Sequence, residues 1–213
     1  LAISAVSAIL SFIWCGVLYI KSSWRSEHVD YGQVFSIKNV LCILCIGSGC
    51  CILLTFLLSL LTAVFPQAFQ NYTKLMSNFE SGNMILTLGY AVLIGPVSEE
   101  MIFRGAIFDR VYTVFPFWKA NIIQAVLFGV YHMNIVQGLY AFCLGMVLGI
   151  IVKATGSILC SMITHITFNG TSYLLPVILG TGAAWVNIIV LIIALFLIAA
   201  GIFGIKFLMR SLN

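Results

Sequence analysis

Glu99 and Glu100 stand side by side in the stretch GPVSEEMIFRG, residues 95–105, in a chain with only six acidic residues. Hydrophobic runs flank them. A charged side chain near mid-bilayer costs at least about 2.5–3.5 kcal/mol on insertion scales, so such residues persist where they pair or do chemistry. On a helix, Glu100 and Arg104 are i and i+4 with the acid first, and they can neutralise each other on one face. Glu99 points about 100° away and has no cation near it in sequence. A buried ion-pair network that only fixes helix packing would explain Glu100 with Arg104, but not Glu99. Pro96 lacks an N–H and frees a carbonyl, which predicts a kink just before the cluster.

The chain has three histidines. His28 lies in the charged loop RSEHVD and reads as solvated. His132 ends the apolar stretch FGVYH and His165 opens HITFN inside another. Either alone would read as a hydrogen-bonded packing residue. Asn169 follows His165 by one helical turn and shares its face, while Phe128 precedes His132 by one turn and can wall its ring. At 1.5 Å per helical residue, Glu99 lies about 16 Å from Arg110, His132 about 20 Å from Lys119 and His165 about 18 Å from Lys153. Three residues on three segments thus reach similar depth from one side. A carboxylate without its own cation and a neutral imidazole can bind and deprotonate a water, directly or through a metal ion. A second histidine and an amide can donate to the oxyanion formed when water attacks a carbonyl. With no serine triad, G-x-S-x-G elbow, H-E-x-x-H or Walker loop in the chain, the reading is water-mediated hydrolysis of an amide bond within a membrane.

The positioning elements follow from composition. Of 213 residues, 62% are hydrophobic and 8% charged, with a mean hydropathy of +1.15, whereas soluble domains carry about 25% charge. The chain therefore reads as all-α, a polytopic helical bundle forming a single transmembrane domain over 1–213. Apolar runs of membrane-spanning length fall at 1–20, 39–65, 82–109, 119–133, 136–152, 156–173 and 184–207, about seven spans. The chain begins at Leu1, which leaves room for upstream sequence, and 1–20 reads as a span and not as a signal peptide. Residues 66–81 form a polar connection with a short interfacial helix. Most of the seven cysteines sit in apolar runs as small hydrophobes, and the C-x-x-C at Cys42 and Cys45 carries no redox or metal claim. The net charge of +4 is scattered, so it marks topology and not nucleic-acid binding. Connections rich in Lys and Arg alternate with poor ones, which places the C-terminus in the cytoplasm.

Glu-Glu-x-x-x-Arg at 99–104, Phe-x-x-x-His at 128–132 and His-x-x-x-Asn at 165–169 resemble, in order and spacing, the three motifs of the CAAX protease and bacteriocin-processing family, also called Abi proteins. The resemblance covers about 83–175 as a catalytic core. It implies a glutamate-dependent intramembrane endopeptidase with a conical cavity. Carried over, Glu99 is the catalytic base and His132 its partner on the water. His165 and Asn169 stabilise the oxyanion, Glu100 and Arg104 form a structural ion pair, and Phe128 is a cavity wall. A divalent metal such as zinc stays open: Glu99, His132 and His165 could ligate one, but their spacing is not a standard zinc pattern. The implied partners are the lipid bilayer and a peptide or lipidated protein substrate. Short loops suit a bacterial cell membrane, with bacteriocin or pheromone precursors as substrates and CAAX-like cleavage as the less favoured activity. The competing reading is a non-catalytic immunity, scaffold or transporter protein that keeps the polar cluster for binding.

Overall fold

Three helices of the chain begin where local chemistry dictates. Pro66 occupies the first helical position, where a missing N–H costs nothing. Asn83 and Asn134 cap the helices that follow them: each side-chain oxygen accepts two backbone N–H groups, from Ile85 and Leu86 and from Val136 and Gln137, at 3.0–3.2 Å. The computed structural model describes residues 35–80, 82–179 and 184–211, with scattered positions between 6 and 17. The span expected at 1–20 therefore lies largely outside the described residues, and Cys15 and His28 lie wholly outside them.

Among the described residues all regular structure is helical. In chain order the helices are α1 (Ile37–Thr62), α2 (Pro66–Glu80), α3 (Met84–Tyr112), α4 (Phe117–Tyr131), α5 (Ile135–Thr155), α6 (Ile158–Leu179) and α7 (Ala184–Ser211). Four are long and apolar enough to cross a membrane: α1, α3, α5 and, within α7, Val186–Phe203. The other two expected spans depart for physical reasons. With 15 residues, α4 is about 22 Å long at 1.5 Å per residue, short of a hydrocarbon core of about 30 Å. In α6 the hydropathy is diluted by Thr164, His165, Thr167, Asn169, Thr171 and Ser172. It also runs through Pro176 to Leu179, past the limit of 173 read from hydropathy, so the connection expected at 174–183 shortens to 180–183. Membrane helices tolerate such a proline. The polar stretch at 66–81 is helical nearly throughout, as α2.

Small residues let the helices close on each other, as packing within a membrane favours. A Cβ added at Gly47 of α1 would lie 2.7 Å from the Thr164 carbonyl oxygen of α6. Ile43, Ile46, Leu144, Leu148, Ile151 and Phe168 join α1, α5 and α6 in the largest apolar core. The described cysteines are free thiols.

The irregular element is α3. Its Gly89–Ile94 and Met101–Phe108 segments are π-helical, on either side of an α-helical Gly95–Glu100. Single π turns are rare and recur at functional sites. The first ends just before Pro96, so the disturbance expected there takes the form of a wide turn. At the other end of α3, Lys153 Nζ lies 5.2 Å from the Tyr112 ring centre, and Tyr112 also meets Phe117. Arg110, Lys119 and Lys153 thus gather at one end of the bundle.

Candidate active site

Two carboxylates, two imidazoles and one guanidinium meet where α3, α4 and α6 approach. Glu100 is fully buried, and its Oε1 accepts from Arg104 Nη1 at 2.8 Å and from His165 Nδ1 at 2.9 Å. The Glu100–Arg104 pair therefore exists as the i,i+4 spacing predicts. The contact to His165, 65 positions away, was not legible in sequence. It fixes a tautomer: facing a carboxylate, Nδ1 carries the hydrogen. That leaves Nε2 for the cavity side, 3.7 Å from Glu99 Oε2. Glu99 lacks a cation in sequence but has an imidazole in space.

His132 closes α4 as its C-terminal cap, followed by Met133 in the left-handed region at φ 52. Its Nδ1 lies 2.9 Å from the Phe128 carbonyl. A carbonyl only accepts, so Nδ1 donates and the lone pair sits on Nε2. Phe128, 1% exposed, packs edge-to-face with both imidazoles, its ring centre 4.9 Å from that of His132 and 5.7 Å from that of His165. The Arg104 guanidinium carbon lies 4.6 Å from the same ring centre, within cation–π reach. Phe128 is therefore the ring around which the charged groups are arranged, more than a wall.

Asn169 uses one amide hydrogen on the Ala91 carbonyl at 2.8 Å. Ala91 lies in the first π segment. One amide hydrogen remains for another acceptor. Glu99, Phe128, His132, His165 and Asn169 all line one cavity of about 810 Å³. Its walls also include Tyr90 and Tyr140, and the apolar side of α2 covers it with Phe69, Tyr72, Met76 and Phe79. Sequence reading treated α2 as a connection and missed this role; the apolar spacing at 69, 72, 76 and 79 was the available signal. Asn121 and Gln124 were also missed. Both are fully buried, and with Phe128 and His132 they form a stripe at i, i+3, i+7 and i+11 on one face of α4. No group of three His, Cys, Asp or Glu side chains among the described residues is placed to hold a metal ion. Glu99, His132 and His165 do not form such a set.

Residues 81–171 match the family of type II CAAX prenyl endopeptidases described as Rce1-like. The matched stretch is less than half of the chain. It begins just before α3 and ends two residues past Asn169, so it contains every motif residue named above. The "Putative membrane peptidase YdiL" of Bacillus subtilis (strain 168) is 30% identical over 77 residues, which are 36% of this chain and 32% of that protein. The chain thus matches about a third of the relative's length. No solved structure matches it. Both descriptions are of peptidases. Part of the cavity is built from outside the matched stretch, by α1, α2 and the end of α6.

Proposed function

We propose that the chain is an intramembrane endopeptidase that cleaves a peptide bond near the terminus of a membrane-associated substrate. The observation that carries this reading is that Glu99, His132, His165 and Asn169, from three helices, open on one cavity. Glu99 takes a proton from a water that also donates to His132 Nε2, and the hydroxide attacks the substrate carbonyl. The second Asn169 hydrogen donates to the oxyanion that forms; His165, with its hydrogen on Nδ1, turns toward Glu99 an Nε2 that can only accept. The proton held by Glu99 passes to the leaving amine as the C–N bond breaks. Glu100 and Arg104 keep His165 in its tautomer. No serine or cysteine is needed as nucleophile.

The substrate class is a bacterial peptide precursor, of a bacteriocin or pheromone, or a lipidated protein. The Bacillus relative and the short loops favour a bacterial cell membrane. The test is cleavage of candidate precursor peptides by purified protein. Wild type should cut at one bond and Glu99→Ala should leave the peptide intact; equal cleavage by both proteins would reject the reading. A non-catalytic immunity protein predicts no cleavage by either and a cellular phenotype untouched by Glu99→Ala.

Orientation gives an independent prediction. Lys38, Arg110, Lys119 and Lys153 belong to one end of the bundle, while α2 and the cavity belong to the other, where Lys74 is the one basic residue among the described positions. By the charge rule the basic end is cytoplasmic, as is the C-terminus, and the cavity opens toward the outer face. Reporter fusions after Asn213 and in the 113–116 turn should read as cytoplasmic, and fusions at 180–183 as external. The inverse pattern would turn the cavity toward the cytoplasm.

A further inference from the structure

A chain of buried polar contacts reaches the site from behind. Asn121 and Gln124 of α4 are both 0% exposed. Asn121 Nδ2 donates to the Met146 carbonyl of α5 at 3.0 Å. Gln124 Nε2 donates to Asn121 Oδ1 at 2.7 Å and to the Gly145 carbonyl at 2.8 Å. Arg104 Nη2 donates to that same Gly145 carbonyl at 3.3 Å, while its Nη1 holds Glu100, which holds His165, which faces Glu99.

Two buried carboxamides are an expensive way to join helices. Amides cost free energy to bury unless hydrogen-bonded, and apolar residues would pack α4 on α5 without that cost. Their placement is specific: both amides reach consecutive carbonyls of α5, and one of those carbonyls is the acceptor that Arg104 uses. A Cβ at Gly145 would lie 3.1 Å from Ala125 Cα and 3.3 Å from Arg104 Nη2, so glycine lets this carbonyl come close. Arg104 Nε has no hydrogen-bond partner within the protein, which leaves the two Nη contacts and the Phe128 face to set the guanidinium.

We infer that Gln124 is a positioning residue for the Glu99–His165 pair. It fixes the Gly145 carbonyl, which orients Arg104, and through Glu100 that sets the His165 ring. The activity part of this inference rests on the peptidase reading above; the placement of the His165 ring does not.

The experiment separates the two. Whole protein labelled with [15N]histidine in detergent micelles gives ring-nitrogen resonances, and His165→Gln identifies those of His165. In Gln124→Met, which keeps the length but loses both donors, the His165 resonances should move while those of His28 stay. With a peptide that the wild type cleaves, kcat should fall roughly 10–100-fold at little-changed KM, since small misplacements of reacting groups cost on that order. An unshifted His165 with unchanged kcat per folded molecule, even at lowered thermal stability, overturns the inference. If the wild type cleaves nothing, the peptidase reading fails and the His165 resonances alone decide. If Gln124→Met yields no folded protein, Gln124→Glu is read the same way, because it keeps the volume and replaces the donor by acceptor oxygens.

Discussion

Glu99→Gln should keep the fold and lose the activity. The substitution preserves volume, and the Glu99 side chain is only partly buried, at 18% exposure on the cavity side, so no stranded charge results. Its 3.7 Å approach to His165 Nε2 can be kept by an amide. Proton abstraction cannot, and general-base catalysis is typically worth about 10²–10⁴-fold. His132→Ala should cost a similar factor, because it removes the one ring nitrogen whose lone pair the Phe128 carbonyl directs toward the cavity. Glu99→Asp should also fail, since one methylene withdraws the carboxylate from its water. Asn169→Ala should lose about 10²–10³-fold, the usual cost of one oxyanion donor, and should also loosen the π turn that Asn169 holds at Ala91. The measurement is precursor processing, or the phenotype that depends on it, in cells expressing each variant at matched levels. A binding protein would tolerate the amide, so wild-type function from Glu99→Gln ends the peptidase reading.

What the sequence could and could not predict divides along contact range. Helical periodicity relates residues three or four apart, so the Glu100–Arg104 pair and the Phe128–His132 contact were legible from spacing alone. Counting the rise from the basic ends also placed Glu99, His132 and His165 at one depth, and the cavity contains all three. Distance within that depth was not legible. Which imidazole meets Glu99 depends on how α6 rotates against α3, and nothing local to HITFN encodes that His165 reaches over to Glu100. Hydropathy set the end of α6 too early: the threonines that face α1 and the histidine, asparagine and serine that line the cavity lower its apolar score, and the helix runs through Pro176 to Leu179. At 66–81 a short interfacial helix was expected and the helix runs over nearly the whole stretch; what stayed illegible was the cavity that its apolar side covers. The π turns of α3 have no periodic signature; only Pro96 hinted at them.

Arg104→Ala should cost the protein roughly 3–5 kcal/mol of stability, the usual penalty for stranding a buried charge. Here Glu100 is the stranded group: both side chains are 0% exposed, and without Arg104 its Oε1 keeps only His165. Thermal unfolding in detergent should therefore begin well below wild type, and yield should fall. Arg104→Lys should recover only part of the loss. A lysine ammonium can still pair with Glu100, but it lacks the planar fork that reaches Glu100 and the Gly145 carbonyl together, and it stacks less well on Phe128. The pair can also be removed as a unit. Glu100→Leu combined with Arg104→Leu leaves no unpaired charge, and apolar replacements of buried ion pairs are often neutral or stabilising, so the double variant should be more stable than Arg104→Ala. It should nevertheless stay inactive, because His165 Nδ1 then has no carboxylate to fix its tautomer and its Nε2 no longer faces Glu99 in one defined state. Stability regained together with activity would make Glu100 and Arg104 packing groups and nothing more. Stability regained without activity assigns the pair its second role, as the support that holds His165 for chemistry.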